Sequence, residues 1–163
     1  MKIAIIGSGN VGGALAKKWI QAGHKVLIGA RFPLSDKNLQ LAAEIGKDPF
    51  TSIESAVTQS EIILISIPAT ATVEVVKSLG NTAGKIIIDT MNVVMGRGPE
   101  GYKNTTDAIL GNTQTRDVVK CFNTTGFNCT FKINQYINAF ATIGKRNNYV
   151  LKGFTACSMQ ISH

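Results

Sequence analysis

A glycine-rich turn that joins an apolar segment to an amphipathic segment restricts the fold of this chain more than any other feature. Residues 2–7 form an apolar run of strand length, Lys-Ile-Ala-Ile-Ile-Gly, that is rich in β-branched side chains. The sequence Gly-Ser-Gly-Asn-Val-Gly begins at Gly7, and apolar residues then recur at helical spacing over residues 11–22, followed by Gly23. Residues 25–29 predict a second strand. This order of strand, glycine turn, helix and strand within about 30 residues is typical of one βαβ unit.

Strands and helices continue to alternate along the sequence up to residue 122. The strand predicted at residues 61–68 is apolar, as expected for a strand that is covered on both faces of a sheet. The alternation predicts an α/β fold, a Rossmann-like doubly wound parallel sheet with strand order 3-2-1-4-5-6. Ser35 and Ser52 are expected to cap two of the helices. Further strands are predicted at residues 49–51, 85–89 and 117–122, and further helices at 36–45, 53–59, 72–79 and 106–110.

The composition is that of a globular protein. The length of 163 residues suits one domain, and 44% hydrophobic with 17% charged side chains exclude a disordered or collagen-like chain. The apolar run at residues 61–68 is far shorter than the roughly 18 residues of a spanning helix, and no signal-peptide core follows Met1. Three cysteines without a Cys-x-x-Cys spacing indicate neither a disulfide framework nor a zinc site. We therefore expect a cytoplasmic protein with no membrane partner and no metal.

The net charge of +7 is distributed unevenly along the chain. All ten acidic residues lie at or before Asp117, whereas residues 118–163 carry five basic side chains and no acidic one. A basic balance is compatible with nucleic acid, a membrane surface or an anionic ligand. The basic residues after residue 118 are scattered singly, with no run of Lys or Arg, so nucleic acid is not the expected partner.

Each glycine of the turn has a predicted role in binding a dinucleotide. Gly7 permits the tight turn, Gly9 lets the backbone approach a pyrophosphate, and Gly12 lets the helix pack closely on the strand. The phosphates would lie on free N–H groups of the first helical turn, where the helix dipole favours anions. The predicted phosphate-binding residues are therefore Gly7, Ser8, Gly9, Asn10, Val11 and Gly12.

The end of the second predicted strand distinguishes between two cofactors. Sites for NAD usually carry an acidic residue at this position, which accepts hydrogen bonds from the ribose hydroxyls. This chain instead has Ala30 and Arg31 there, and its next acidic residue is Asp36. A guanidinium binds a 2′-phosphate through charge-assisted hydrogen bonds, whereas a carboxylate would repel it. Arg31 therefore predicts NADP, with Lys37 as a second cation.

The same residues resemble a known family. Residues 1–31, with Ile-Gly-Ser-Gly-Asn-Val-Gly-Gly-Ala-Leu-Ala and Gly-Ala-Arg, look like the NADP-dependent oxidoreductases of the deazaflavin coenzyme F420. They are similar, more broadly, to the NADP-binding domain shared with ferric-reductase oxidoreductases of that superfamily. Ile-Ile-Ile-Asp-Thr-Met-Asn at residues 86–92 and Val-Val-Lys-Cys-Phe-Asn-Thr-Thr-Gly at 118–126 agree with this family. The resemblance covers residues 1–127 and implies a domain that carries NADPH and passes hydride to a flavin-like or deazaflavin acceptor.

The topology predicts where hydride transfer would occur. Ligands of open parallel sheets bind at the carboxyl ends of the strands, across the point where the strand order reverses. Ile67, Pro68 and Ala69 are therefore expected beside the nicotinamide, with Asn92 and residues 123–125 on the acceptor side. Because the cofactor carries the chemistry, we predict no catalytic acid or base in the protein.

Residues 128–163 do not match the family. We interpret residues 1–127 as an NADP-binding Rossmann domain and residues 128–163 as a short, atypical C-terminal extension rather than a separate domain. The extension is too apolar for a free linker, so we expect it to pack on the domain or to pair two chains as a homodimer.

Other functions are compatible with the same residues. The main alternative is a nucleotide-binding module without turnover, either a truncated or decayed enzyme or a sensor. A dehydrogenase of small alcohols or acids is disfavoured because the sequence has no Tyr-x-x-x-Lys and no well-placed His.

Overall fold

In the part of the chain that the structure describes, six parallel strands form one sheet, in the spatial order β3-β2-β1-β4-β5-β6. The computed structural model of the chain describes residues 1–122. The strands are β1 (Lys2–Ile6), β2 (Lys25–Gly29), β3 (Phe50–Thr51), β4 (Ile62–Ile65), β5 (Ile86–Asp89) and β6 (Val118–Lys120). The α-helices are α1 (Asn10–Gln21), α2 (Asp36–Ile45), α3 (Ile53–Thr58), α4 (Thr72–Lys77) and α5 (Thr105–Asn112), and a 3-10 turn, Ala69–Ala71, leads into α4.

The two central strands are buried on both faces, which explains why their sequences are apolar. Successive side chains of a strand point to opposite faces of the sheet. In β1, Ile3 and Ile5 belong to one hydrophobic core together with Leu15 and Trp19 of α1. Ala4 and Ile6 belong to a second core on the other face, which contains side chains of α3, α4 and α5. The helices therefore cover both faces, and the predicted doubly wound sheet and its strand order are confirmed.

Several elements begin or end a few residues away from the predicted bounds. The strand predicted to extend to residue 68 ends at Ile65, because the chain leaves the sheet before Pro68. Ser52 caps α3 by accepting a hydrogen bond from the N–H of Ser55. Ser35 takes the N-cap position of α2, as predicted. Its side chain accepts no hydrogen bond from the helix, so the predicted side-chain cap was wrong.

Two expectations concern chain segments outside the part that the structure describes. The domain boundary at residue 127 lies beyond residue 122, and so does the extension at residues 128–163 with its predicted packing or pairing. Within residues 1–122, the helices are too short or too polar to span a membrane.

Close contact between α1 and the turn before it fixes the angle at which the helix leaves the sheet. A methyl group on Gly12 would lie 2.0 Å from the carbonyl oxygen of Gly7, which is too short for two atoms that are not bonded to each other. The neighbouring Gly13 has more room, because a methyl group there would lie 3.3 Å from Cδ2 of Leu41, at the end of a flexible side chain.

We predict that Gly12→Ala destabilises the fold and that Gly13→Ala serves as its matched control. Forcing atoms into a packed region typically costs about 1–3 kcal/mol. At residue 13 a small steric penalty is offset by the helix propensity that Ala gains over Gly, about 1 kcal/mol. Urea denaturation would measure both free energies of unfolding, and equal values for the two variants would contradict the close contact at Gly12.

Candidate cofactor site

Most of the residues predicted to bind the cofactor lie at the carboxyl edge of the sheet, where the glycine turn, Arg31 and Ile67 follow neighbouring strands. Gly7 follows β1 with a φ of 106°, a backbone conformation that glycine adopts readily. A methyl group on Gly7 would lie 2.2 Å from the carbonyl oxygen of Ser66 and 3.0 Å from Cγ2 of Ile67. The turn after β1 and the segment after β4 are therefore in direct contact, at the point where the strand order reverses. Ile67 is half-buried, Pro68 is exposed, and Ala69 is buried.

The N-terminus of α1 is open, and Gly9 lies at its cap. A methyl group on Gly9 would meet no atom within 4 Å, and its φ of −66° suits any residue. No side chain caps α1, and its first turn contains no acidic residue. The first turns of α2, α3, α4 and α5 each carry an acidic residue, Asp36, Glu54, Glu74 and Asp107, respectively. The structure therefore gives no packing reason for glycine at residue 9, and it leaves space beside the N–H groups that begin α1.

Asn38 joins the glycine turn to the loop that carries Arg31. Its Oδ1 accepts a hydrogen bond of 2.6 Å from the Ser8 hydroxyl, and its Nδ2 donates one of 2.8 Å to the carbonyl oxygen of Phe32. Asn38 is 4% exposed, so its amide group is largely shielded from water, while the partners Ser8 and Phe32 are half-buried and exposed, respectively. Sequence reasoning missed this residue. The sequence did contain a signal for it: the amide side chain of Asn38 lies on the same helical face as the apolar Leu41 and Ile45, three and seven residues further on, which indicates a buried polar group.

Arg31 lies at the predicted position after β2 and forms an ion pair across the site. Its guanidinium donates a hydrogen bond of 2.8 Å to Oε1 of Glu74 in α4. Both side chains are exposed, by 58% and 72% respectively. The N–H of Ala30 donates to the carbonyl oxygen of Thr51 and fixes the end of β2. Lys37 is exposed in the first turn of α2, and no ion pair joins it to another residue within the described part of the chain.

An ion pair between a buried carboxylate and a partly buried lysine supports the edge of the sheet near Asn92. Asp89 ends β5 with 0% exposure, and Nζ of Lys120 in β6 donates to its Oδ2 at 2.9 Å. The Lys120 ammonium also donates to the carbonyl oxygen of Met91 and to the hydroxyl of Thr105. Asp89 further accepts hydrogen bonds from the hydroxyls of Thr105 and Thr106 and from the N–H of Met91.

This network holds the backbone on either side of residue 91 from two directions. The N–H of Met91 is bound by Asp89 and its carbonyl oxygen by Lys120, so the chain leaves β5 along one defined path. Asn92 follows immediately and is exposed at the carboxyl edge. Residues 123–125, which were predicted to lie nearby, are outside the described residues. Sequence reasoning gave Lys120 no role, since its partner lies 31 positions earlier in the chain.

His24 does not contribute to this edge. It precedes β2, whose first residue Lys25 pairs with Lys2 of β1 at the opposite edge of the sheet. Burial lowers the pKa of His24 from its usual 6.5, and the amino group of Met1 lowers it further. Both effects favour the neutral form of His24. Within residues 1–122, no group of three or more His, Cys, Asp or Glu side chains is arranged to hold a metal ion.

We predict that Lys120→Met destabilises the protein by about 3 kcal/mol, because it leaves the buried Asp89 carboxylate without its cation. Lys17→Met is the matched control, since it removes a lysine from the ion pair between Lys17 and Glu44, two partly exposed side chains. The free energy of unfolding of Lys17→Met should fall by less than about 1 kcal/mol. Chemical denaturation would compare the two variants. A loss for Lys120→Met no greater than that for Lys17→Met would show that the buried network does not hold the edge together.

The strand order, the helices on both faces and the glycine turn at the switch point define a Rossmann-like α/β domain. The model of the family described as NADP oxidoreductase, coenzyme F420-dependent, matches residues 2–93, more than half of the chain. The chain therefore belongs to this family, and the resemblance stated from the sequence is confirmed. A search of the curated proteins gives no match.

Solved structures share the fold at low sequence identity. A candidate F420-dependent NADP reductase from Arthrobacter sp. FB24 is 23% identical with a TM-score of 0.67, and the match covers 79% of this chain and 65% of that protein. The hypothetical protein SMa0349 from Sinorhizobium meliloti is also 23% identical with a TM-score of 0.67, over 80% and 65%. An imine reductase from Aspergillus terreus, solved in complex with NADPH4, is 20% identical with a TM-score of 0.56, over 78% and 43%. The chain thus spans about two thirds of the length of the first two proteins and less than half of the third.

Proposed function

We propose that this chain is an NADP-dependent oxidoreductase that transfers hydride between NADPH and a flavin-like or deazaflavin acceptor. The observation that carries the proposal is the combination, at one edge of the sheet, of an open helix N-terminus beside Gly9 and a guanidinium at the end of β2. Family membership supports the same cofactor and the same class of acceptor.

The glycine turn is suited to a pyrophosphate. Gly7 and Gly12 are required by contacts within the protein, whereas Gly9 faces open space. The N–H groups at the start of α1 can donate to phosphate oxygens, and the absence of an acidic side chain in this first turn avoids repulsion. In this proposal Gly7, Ser8, Gly9, Asn10, Val11 and Gly12 bind the phosphates. Asn38 acts as a positioning residue, because it holds Ser8 and the Phe32 carbonyl at a fixed separation.

The adenosine end is proposed to lie over β2. Arg31 binds the 2′-phosphate of NADP, with Ala30 beside it and Lys37 as a second cation on the exposed face of α2. The first acidic side chain after β2 is Asp36, which lies in the first turn of α2 rather than at the end of the strand. The usual carboxylate that accepts hydrogen bonds from the ribose of NAD is therefore missing from the end of β2.

Residues after β4 and β5 would position the reacting rings. Nicotinamide, when bound, supplies or accepts the hydride. Ile67, Pro68 and Ala69 would flank this ring and exclude water, since Ile67 already contacts the glycine turn. Asn92 would face the acceptor from the backbone segment held by Asp89 and Lys120. The protein's contribution is then position and exclusion of water rather than proton transfer at the accepting carbon.

The activity is tested by following NADPH consumption with purified protein while FMN, FAD, the deazaflavin F420 and ferric chelates are offered in turn. We expect turnover with a flavin-like or deazaflavin acceptor. NADPH binding without consumption by any acceptor would instead favour a nucleotide-binding module without turnover. The homodimer remains a prediction, and light scattering on the same preparation measures it.

Gly9→Ala is predicted to weaken NADPH binding while the fold remains intact. The added methyl group meets no protein atom, so stability should change by less than about 1 kcal/mol. The same methyl group would occupy the space of the pyrophosphate, where a steric penalty of about 1–3 kcal/mol corresponds to a roughly 5- to 150-fold loss of affinity. Titration of NADPH fluorescence and a thermal melt would measure the two effects. An unchanged affinity would place the phosphates elsewhere.

Arg31→Ala is predicted to weaken NADP binding by roughly ten- to a hundredfold and to leave NAD binding almost unchanged. The loss corresponds to one charge-assisted contact, about 1.5–3 kcal/mol. Lys77→Ala is a suitable control, because it removes one positive charge from the far end of α4. Calorimetric titration with both dinucleotides would measure the ratio of affinities. Equal dissociation constants for NADP and NAD in the unmodified protein would contradict the role of Arg31.

A further inference from the structure

The ion pair between Arg31 and Glu74 bridges the two halves of the sheet over β1. Arg31 follows β2 and Glu74 lies in the first turn of α4, after β4, while β2 and β4 flank β1 on opposite sides. The two residues are 43 positions apart in the chain, and their N–O distance is 2.8 Å. This contact therefore crosses the crevice above the glycine turn, which is the crevice assigned to the dinucleotide.

Glu74 and a 2′-phosphate would be two anions that share one guanidinium. A phosphate bound to Arg31 would place its oxygens within about 5 Å of a carboxylate that remained on the same group. Two like unit charges at about 5 Å in water weaken binding by about fourfold, and a phosphate monoester carries more than one charge. Binding of the phosphate must therefore displace the Glu74 carboxylate from Arg31 or overcome the electrostatic repulsion between the two anions.

We propose that Glu74 is a specificity-determining residue, which competes with the 2′-phosphate of NADP for Arg31 and thereby lowers the preference for NADP over NAD. The inference rests on the proposed function, because it requires that Arg31 bind the 2′-phosphate. NAD has a hydroxyl in place of this phosphate, so Glu74 does not repel it. Since both side chains are exposed, the competition is screened by salt.

The experiment compares Glu74→Gln with Glu44→Gln in the full chain. Each substitution removes one exposed carboxylate from an ion pair and changes the net charge equally, but Glu44 pairs with Lys17 of α1, outside the proposed site. Calorimetric titrations with NADP and NAD would be carried out at about 20 mM and about 500 mM ionic strength. Thermal melts would verify that both variants remain folded.

We expect Glu74→Gln to bind NADP about three- to tenfold more tightly than the unmodified protein at low ionic strength, and less than about twofold more tightly at high ionic strength. Its affinity for NAD and the affinities of Glu44→Gln should change by less than about twofold. Weaker or unchanged NADP binding by Glu74→Gln would overturn the inference, since Glu74 would then orient Arg31 or have no effect on it.

The remaining outcomes are also distinguishable. An equal gain with Glu44→Gln would show a general effect of net charge and would overturn the role of Glu74, and an equal gain for NAD would do the same. If neither the unmodified protein nor Glu74→Gln bound either dinucleotide, the proposed function would fail together with the inference. Binding of NADP by the unmodified protein with no change in Glu74→Gln would reject the inference alone.

Discussion

The close approach of α1 to β1 is the constraint on which the rest of the carboxyl edge depends. The Gly7 carbonyl occupies the space that a side chain at residue 12 would need, and Gly7 itself is closely packed against the backbone of Ser66. These two contacts bring together the turn after β1, the start of α1 and the segment after β4. Because neither contact tolerates a Cβ, the geometry of the crevice follows from backbone packing and does not depend on side-chain conformations.

The fold was predictable because the sequence signals that specify its strands, helices and turns are local. Apolar runs of strand length, helical periodicity and glycines at helix ends each act within a few residues, and the parallel order follows from their alternation. The strand predicted up to residue 68 shows the limit of this reasoning, since the apolar pattern continues past Ile65 while the backbone leaves the sheet. Periodicity reports which residues are apolar, whereas the end of a strand depends on its hydrogen-bonded neighbour.

In the candidate site, sequence reasoning found the residues that belong to a motif or directly follow a strand. The glycine turn and Arg31 are adjacent to their strands in sequence, so their placement follows from the topology. Asn38 and Glu74 contact these residues from 30 and 43 positions away, and no local pattern identifies such a pair. A buried amide on an apolar helical face was the available signal for Asn38, because buried polar groups almost always have partners.

Asp89–Lys120 and Arg31–Glu74 each join a carboxylate to a cationic side chain, but their surroundings differ, and this difference suits them to different tasks. Asp89 is fully buried, and its carboxylate and the Lys120 ammonium are each held by additional hydrogen bonds, so exchange of either partner would leave an uncompensated charge. Arg31 and Glu74 are both exposed, and water or another anion can replace either partner at little cost. The pair with the buried carboxylate is therefore suited to holding the backbone before Asn92 in one position. An exposed pair is suited to a position where a charged ligand must enter and leave.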